Sequence, residues 1–414
     1  MANTLKFIDM VAREAQSIAH EKATFIGTTD LQYDSSFAKA GAKIGDTLRV
    51  RKPNQYTRTQ GSRVMDVQDQ VEATQTITVA TQDHVDMRFN SAELTLDTDS
   101  PSEIAAFSKR YIEPAVSVLV SGIEADYLAY ATKRTYNVAG TAGTAITTLA
   151  TPGAARARLN QMLAPKDGNR SIQMDSVTMG GLVNGMAAYF NPSGDISKQY
   201  REGFIARTAM ADYYENERVY TQTNSSDVTV TTAADAAVTD GGTNITLASV
   251  ASATTAGMIF TVAGVYACHP ETKQSLGYLQ PFVVITGGTT TQEVSPATVL
   301  TGPRQNVCSA ASAQLATTAF NGTSVAVTFS GAASTSYVQP IMYHKEAFQF
   351  VTADLPLMDD AHRCTRRTKD GLSLRVWMAS DIRNDELLMR IDILYGFAAL
   401  RPEWACRMIG AAVA

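Results

Sequence analysis

Gly257-Met-Ile-Phe-Thr-Val-Ala-Gly-Val-Tyr266 lies within a stretch, Thr221 to Gln339, that carries almost no charge. Those 119 residues hold five acids (Asp227, Asp235, Asp240, Glu271, Glu293) and two bases (Lys273, Arg304), against 68 charged residues in the other 295. Short β-branched runs take their place: Val228-Thr-Val, Ile245-Thr-Leu, Met258-Ile-Phe-Thr-Val, Phe282-Val-Val-Ile and Val325-Ala-Val-Thr-Phe. Runs of this kind, separated by Gly, Asn and Ser clusters, read as the strands of a small all-β domain. A long helical pattern precedes the stretch and alternating strands follow it. The sequence therefore predicts a β module inserted into a mixed α+β body.

The bulk numbers narrow the possibilities. At 414 residues the chain has room for two or three domains with sizeable cores. A net charge of −5 argues against nucleic-acid binding held by counterion release. The opening residues, Met1-Ala-Asn-Thr-Leu-Lys-Phe-Ile-Asp-Met10, offer no uninterrupted apolar core for a signal peptide. No apolar run reaches the roughly 18 residues of a membrane span. These features predict a chain made and kept in a reducing cytoplasm.

Chemistry-bearing motifs are missing. The sequence has no G-x-x-x-x-G-K-[ST] loop, no G-x-G-x-x-G after a strand, no G-x-S-x-G elbow and no H-E-x-x-H. Its five histidines and four cysteines are dispersed, with no C-x-x-C pair. Cys268-His269 is adjacent in a strand, so the two side chains point to opposite faces and read as ordinary packing. Asp359-Asp360, beside His362 and Arg363, reads as a solvated loop. No catalytic, cofactor or metal site is expected.

Along the chain, Leu5, Ile8, Val11, Ala15 and Ile18 recur at helical spacing up to His20, and Gly27 with Thr28-Thr29-Asp30 ends that pattern. Residues 44–50 alternate as a strand, and alternation resumes at Ile77-x-Val79 and Val85-x-Met87-x-Phe89. Between them lies a polar excursion, Arg51-Lys-Pro-Asn-Gln-Tyr-Thr-Arg-Thr-Gln-Gly-Ser-Arg63, which predicts a long hairpin with an extended tip. Ser100-Pro-Ser-Glu103 reads as a capping box with proline at the first helical position. From it Ile104, Phe107, Tyr111, Ala115, Val118, Gly122, Ala125 and Ala129 mark one face of a helix running to Arg134, kinked near Arg110 by Pro114. A shorter helix follows between Pro152 and Pro165. After the β stretch, His344-Lys-Glu-Ala-Phe-Gln-Phe-Val, Gly371-Leu-Ser-Leu-Arg-Val-Trp and Met389-Arg-Ile-Asp-Ile-Leu-Tyr-Gly read as strands. Body strands from both sides of the insert are expected to pair, which requires the insert's two ends to lie close together.

This order of elements resembles the major capsid proteins of tailed double-stranded-DNA phages, with the Hong Kong 97-type fold. Within that family it is more similar to coat proteins of the kind found in the short-tailed Salmonella phage P-twenty-two, whose axial domain carries an inserted β-barrel. Gly203-Phe-Ile-Ala-Arg and Ala211-Asp-Tyr-Tyr-Glu-Asn-Glu-Arg-Val look like the passage into the insertion. Gly257 to Tyr266 and Gln280-Pro-Phe-Val-Val look like its strands. His344-Lys-Glu-Ala-Phe with Ala353-Asp-Leu-Pro resembles the return, and Tyr395-Gly-Phe-Ala-Ala-Leu-Arg-Pro-Glu the C-terminal signature.

The resemblance implies an α+β Hong Kong 97-like capsid fold in six segments. These are an N-terminal arm at 1–30, an extended hairpin loop with flanking strands at 31–97, and a peripheral domain with a spine helix at 98–170. The first part of an axial domain follows at 171–220, the inserted β-barrel at 221–339 and the axial and peripheral strands at 340–414. It implies a subunit that self-assembles as hexamers and pentamers of an icosahedral shell. A scaffolding protein, a portal protein and enclosed double-stranded DNA, bound without sequence specificity, are the implied partners. The implied location is the virion, after assembly in the bacterial host cytoplasm. Intersubunit contact candidates are Arg51, Lys52, Arg58 and Arg63 of the hairpin and Asp235 and Asp240 of the insert. Arg363, Arg366, Arg367 and Lys369 form the densest basic cluster, read as a phosphate contact, a cross-subunit salt bridge or a solvated loop, and its three arginines are contact candidates. Two other readings of the sequence are an encapsulin-like compartment subunit and a threonine-rich β surface or adhesion protein.

Overall fold

The computed structural model describes residues 7–34, 47–58, 60, 61, 63, 65, 67, 73–90, 108–186, 211–228, 232–233, 239–247, 252–315, 325–357, 363–369, 372–384 and 386–413. The first helix, α1 (Phe7–Lys22), buries Val11, Ala12, Ala15, Ile18 and Ala19 and exposes Arg13, Glu14 and Ser17. A second short helix, α2 (Thr24–Thr28), follows after Ala23. It stops where the sequence predicts: the Thr28 hydroxyl donates to the Phe25 carbonyl at 2.9 Å and the Thr29 hydroxyl to the Ile26 carbonyl at 3.0 Å.

Strands β1 (Asp30–Asp34), β2 (Thr47–Lys52), β3 (Ala73–Thr78) and β4 (Thr81–Asn90) come next. A π-turn at Ser108–Ile112 then leads directly into the long helix α3 (Glu113–Arg134), which measures about 33 Å at 1.5 Å per residue. Pro114 has no N–H to close an α-turn, and the wider π-turn occupies the place of the expected kink near Arg110. The capping sequence Ser100–Glu103 lies outside the described residues.

The buried face of α3 runs through Ile112, Val116, Leu119, Ile123, Tyr127 and Ala131, one to two residues later than the face read from the sequence. Tyr111 and Val118, placed on the apolar face by their spacing, are 41% and 67% exposed. Val116, Leu119, Val120 and Ile123 make the neighbouring stripe apolar as well, so spacing alone did not choose between the two faces.

Strand β5 (Val138–Ala139), helix α4 (Ala150–Gln161), strand β6 (Arg170–Met174), helix α5 (Ser176–Met186) and strand β7 (Asp212–Glu215) complete the chain before the low-charge stretch. Asp175 caps α5 through its carboxylate, which accepts the Thr178 N–H at 3.1 Å. The described part of the low-charge stretch, which leaves out most of the run Val228-Thr-Val, forms strands joined by turns, as its runs predict. It comprises β8 (Thr221–Thr223), β9 (Thr232–Ala233), β10 (Gly242–Thr246), β11 (Ile259–Cys268), β12 (Ser275–Thr286), β13 (Thr291–Thr298), β14 (Val307–Cys308), β15 (Val325–Phe329) and β16 (Ser336–Val338). Beyond it lie β17 (Ile341–His344), β18 (Phe348–Ala353), β19 (Arg363–Lys369), β20 (Leu372–Asp381), β21 (Glu386–Ala399), β22 (Ala405–Met408) and β23 (Ala412–Val413).

The chain forms two compact units, and each draws on sequence from both sides of the low-charge stretch. The first comprises Met1–Val50, Thr74–Tyr127 and Phe348–Leu400. Its sheet has the order β1-β18-β21-β20-β19, with β4 also paired to β21. Aromatic rings fill the space between the helices and this sheet. Tyr127 of α3 stacks on Phe397 at 5.3 Å between centroids and meets Phe25 at 4.7 Å and Phe350 at 5.4 Å. The buried Glu124 carboxylate accepts the Phe25 N–H and ties α2 to α3.

The second unit comprises Arg51–Ala73, Leu128–Ala347 and Arg401–Ala414. One sheet has the order β5-β22-β17-β6-β7, so β17, after the low-charge stretch, pairs with β6, before it. The low-charge stretch builds a seven-stranded sheet with pairing order β10-β13-β12-β11-β15-β9, and β14 on β11. Among the described residues that pairing path is open, ending at β10 and β9. Its strands enclose a core of Ile245, Met258, Phe260, Val262, Phe282 and Val327, among others.

The two ends of the stretch meet. Gln339 N–H donates to the Tyr220 carbonyl at 3.0 Å, and β8 pairs antiparallel with β16 just inside that bond. The buried guanidinium of Arg407, on β22, donates through Nη1 to the Gly257 carbonyl at 2.8 Å, tying the stretch to the neighbouring sheet.

Gly396 shows why the C-terminal signature needs glycine. A Cβ there would lie 2.3 Å from the Thr78 carbonyl oxygen and 3.1 Å from the Val79 Cα, both backbone atoms that cannot swing aside. Gly396→Ala is expected to destabilise the first unit by about 1–3 kcal/mol, read as a lower midpoint in urea or thermal unfolding. An unchanged midpoint would show that the crossing strands separate without cost.

Candidate intersubunit surfaces

Between β2 and β3, which pair as a two-stranded sheet, the described residues of the hairpin are largely exposed. Tyr56, Met65 and Val67 are 57%, 84% and 78% exposed. Gly61 takes a left-handed φ of 82°, which turns the chain at the tip. Arg58 and Arg63 are exposed beside these apolar side chains. Three large apolar side chains exposed in one polar loop make it a candidate surface for a partner to cover.

The other two hairpin candidates are placed differently. Arg51 belongs to β2, and its side chain is outside the described set. Lys52 is half-buried in the second unit. Burial lowers its pKa, the Glu403 carboxylate opposes that shift, and Arg401 and Arg304 add to it. Its ammonium therefore sits in charge surroundings supplied by its own chain. Sequence proximity could not reveal this, because Glu403 lies at the other end of the polypeptide.

A second candidate surface is the charged face of the first unit's sheet, which runs from a buried pair to an exposed rim. Register alignment places Arg375 opposite Asp392 and Asp392 opposite His84. The next row aligns Trp377, Arg390 and Asp86, and the one after it Ala379, Leu388 and Arg88. The innermost pair is almost dry: Arg375 and Asp392 are 5% and 0% exposed at their side chains. Arg375 donates to Asp392 through Nε at 3.0 Å and also through Nη2, while Nη1 reaches the Pro356 carbonyl at 2.7 Å. Gln82 adds a bond to Asp392 at 3.0 Å.

Toward the rim, Arg390 grips Asp86 with the same two-pronged geometry, at 2.6 and 2.9 Å. That bond and the Arg390 charge hold the Asp86 carboxyl below its usual value against a small burial penalty. Arg88 pairs with Glu386 at 3.3 Å. The sequence hinted at this arrangement, since Arg390 and Asp392 alternate with Ile391 and Ile393.

The basic cluster forms strand β19 rather than the solvated loop allowed by the sequence, with Arg366 opposite Arg375 and Arg367 opposite Leu374. Arg366 is committed within the chain: it donates to the Leu355 carbonyl at 2.9 Å and bridges the buried Asp354 at 3.2 Å. Arg367 is half-buried, and the Arg363 side chain is outside the described set. Asp240 accepts the Leu300 N–H at 2.8 Å and so braces a turn of its own sheet, while Asp235 lies outside the described residues.

His344, in the return segment, has a positioning role. Its Nδ1 accepts the Glu346 N–H at 3.3 Å, which leaves Nε2–H to donate to Asp167 at 3.1 Å. Burial pushes the Asp167 carboxyl up, but the backbone and side-chain bonds from Asn169 and the bond from His344 outweigh it and hold it at about 2. Among the described residues no group of three or more His, Cys, Asp or Glu side chains is placed to hold a metal ion.

Residues 71–411 match the model of the family described as P22 coat protein, gene protein 5. No curated protein matches the chain. Solved structures similar to it include one of Mycobacterium phage Che8, at 10% identity over 91% of this chain and 88% of that chain, with a TM-score of 0.46. The mature capsid of bacteriophage PhiM1 aligns at 12% identity over 94% and 86%, with a TM-score of 0.42. A virus-like particle from Pyrococcus furiosus aligns at 6% identity over 98% and 100%, with a TM-score of 0.42.

Removing one partner of a buried pair leaves the other charge without compensation. Arg375→Met is therefore expected to cost about 3–5 kcal/mol of stability, and Arg375→Met with Asp392→Leu to recover part of it. Equal losses in the single and double variants would contradict the pairing. Asp167 predicts a pH effect. Its folded pKa of about 2 lies below the usual 3.8, so its contribution is present above 3.8 and is lost as the pH falls toward 2. Asp167→Asn should flatten the stability profile in that window and lower stability at neutral pH, as followed by thermal unfolding.

Proposed function

The chain belongs to the P22 coat protein family, and from that premise we propose that it is the major capsid protein of a tailed phage, self-assembling into an icosahedral shell around double-stranded DNA. The match across residues 71–411 carries this reading. A coat protein is a structural component, not an enzyme. Its work is to bind copies of itself in slightly different orientations, as hexamers and pentamers, and modest contacts suffice because many subunits close one shell.

In this reading the hairpin lies over a neighbouring copy. Exposed Tyr56, Met65 and Val67 support that role, with Arg58 and Arg63 setting register against acids of the neighbour. Residues 98–170 act as the peripheral domain braced by α3. Residues 171–220 and 340–414 supply the axial body, and 221–339 acts as an inserted β-domain that stabilises it. Residues 1–30 form the N-terminal arm. A scaffolding protein guides assembly in the host cytoplasm, and a portal protein occupies one vertex. The net charge of −5 suits a wall that adheres little to packaged DNA and reads none of its sequence.

Expression with and without a co-expressed scaffolding protein, followed by negative-stain microscopy, tests the reading. Closed polyhedral shells are expected, and a chain that stays monomeric under every condition would overturn it. Arg58→Glu with Arg63→Glu is the residue-level test, chosen because both side chains are exposed whereas Lys52 is half-buried. Shell yield should fall several-fold with an unchanged unfolding midpoint. Normal shells from this variant would remove the hairpin from the mechanism.

A further inference from the structure

We propose that the exposed face of α3 is a contact surface for the same face of a second copy, the two helices lying antiparallel across a two-fold axis at Val118. This rests on the coat-protein reading only in supposing that many copies are held together. On that face Tyr111, Ala115, Val118, Gly122 and Ala125 follow one another at alternating steps of four and three residues. That spacing lets one helix seat its side chains between those of another. Pro114, Val118 and Gly122 are exposed, and Ala115, Ser121 and Ala125 are half-buried. All of them belong to the first unit.

A helix with one buried face ordinarily shows water a polar one. Here the buried face is Ile112, Val116, Leu119 and Ile123, and yet the outward stripe is also uncharged from Tyr111 to Ala125. Tyr111 is steadied by Phe89, edge-on at 5.5 Å between ring centroids. Charge returns only at the two ends of the stripe, as Arg110 and Asp126, both exposed. An outward apolar stripe with charged ends has the make-up of an interaction surface.

The stripe complements itself. Arg110 and Asp126 lie eight residues either side of Val118, Tyr111 and Ala125 seven, and Pro114 and Gly122 four. Antiparallel pairing centred on Val118 therefore sets Arg110 of one copy level with Asp126 of the other. It also sets Tyr111 level with Ala125 and Pro114 level with Gly122, so each bulky group meets a small one. Parallel pairing would bring Arg110 level with Arg110, Asp126 with Asp126 and Tyr111 with Tyr111. A two-fold contact requires this kind of self-complementarity. Gly122 leaves the room it needs, since a Cβ there would meet no atom within 4 Å.

A seam of one helix is small beside the roughly 1,200–2,000 Å² of a stable interface. The pair therefore does not hold a free dimer by itself, and it adds to other contacts where many copies close one shell.

Cysteine cross-linking tests the axis. Helices packed about 8–10 Å apart, with Cα atoms about 2.3 Å from each axis, set facing Val118 Cα atoms about 3.5–5.5 Å apart, which overlaps the roughly 4.4–6.8 Å of a disulfide. Val118→Cys shells oxidised with copper–phenanthroline should run as dimers on a non-reducing gel, and reductant should return monomers. Ser117→Cys, one residue round the helix, and the wild-type chain, with Cys268, Cys308 and Cys406 buried, should stay monomeric. Gly122→Trp, pointing into open space, should cut shell yield several-fold without lowering the unfolding midpoint; if the midpoint falls, Val118→Cys decides. No dimer above the Ser117→Cys control, or normal shell yield from Gly122→Trp, would overturn the pairing and leave the coat-protein reading standing. If the wild-type chain forms no shells, that reading fails instead. The same oxidation of the concentrated soluble Val118→Cys chain then decides the pairing alone, because the bond traps brief encounters: dimers support it and their absence overturns it.

Discussion

The second unit depends on closure at one neck. Chain leaving at Tyr220 must return at Gln339, and a single backbone bond of 3.0 Å joins those residues. Immediately inside it, β8 and β16 pair in register from Thr221 opposite Val338 to Thr223 opposite Ser336. Asn224 extends the seal by donating to the Ser330 and Ala332 carbonyls, each at 3.0 Å. With the neck held, more than a hundred residues can intervene at little entropic cost to the body, because loop-closure cost grows only logarithmically with length. The same closure brings β17 into register beside β6.

That neck was legible because it is a boundary of composition. Charge thins to seven residues between Tyr220 and Gln339, and the closing bond joins those two residues. The apolar runs between them became strands β10, β11, β12 and β15. Alternation in residues 389–396 likewise gave the strand that carries Ile391 and Ile393 on one face and Arg390 and the buried Asp392 on the other. Short-period patterns survive in sequence because each residue records its own exposure.

What sequence concealed was nonlocal. Helix α3 has apolar residues on two neighbouring stripes, so the spacing placed Val118 on its apolar face although it is exposed. Lys52 looked like one of four hairpin bases until Glu403 and Arg401 were found within its electrostatic reach. Arg366 looked available for a partner, yet it bridges Asp354, a residue inside the Ala353-Asp-Leu-Pro return. Each case turns on a contact between distant segments, which local patterning cannot encode.

The two candidate surfaces differ in what they offer a neighbouring copy. On the sheet face most charges already have an opposite partner: Asp86 with Arg390, Arg88 with Glu386, and Asp392 with Arg375. A partner must displace those bonds or accept them, and exposed ion pairs return only about 0–1 kcal/mol each. The hairpin instead presents Tyr56, Met65 and Val67 in water. Covering such side chains is worth about 1.5–3 kcal/mol each when complete, less the cost of ordering the loop. On these magnitudes the proposed role of the hairpin rests on covering its apolar side chains, with Arg58 and Arg63 proposed to set where that happens.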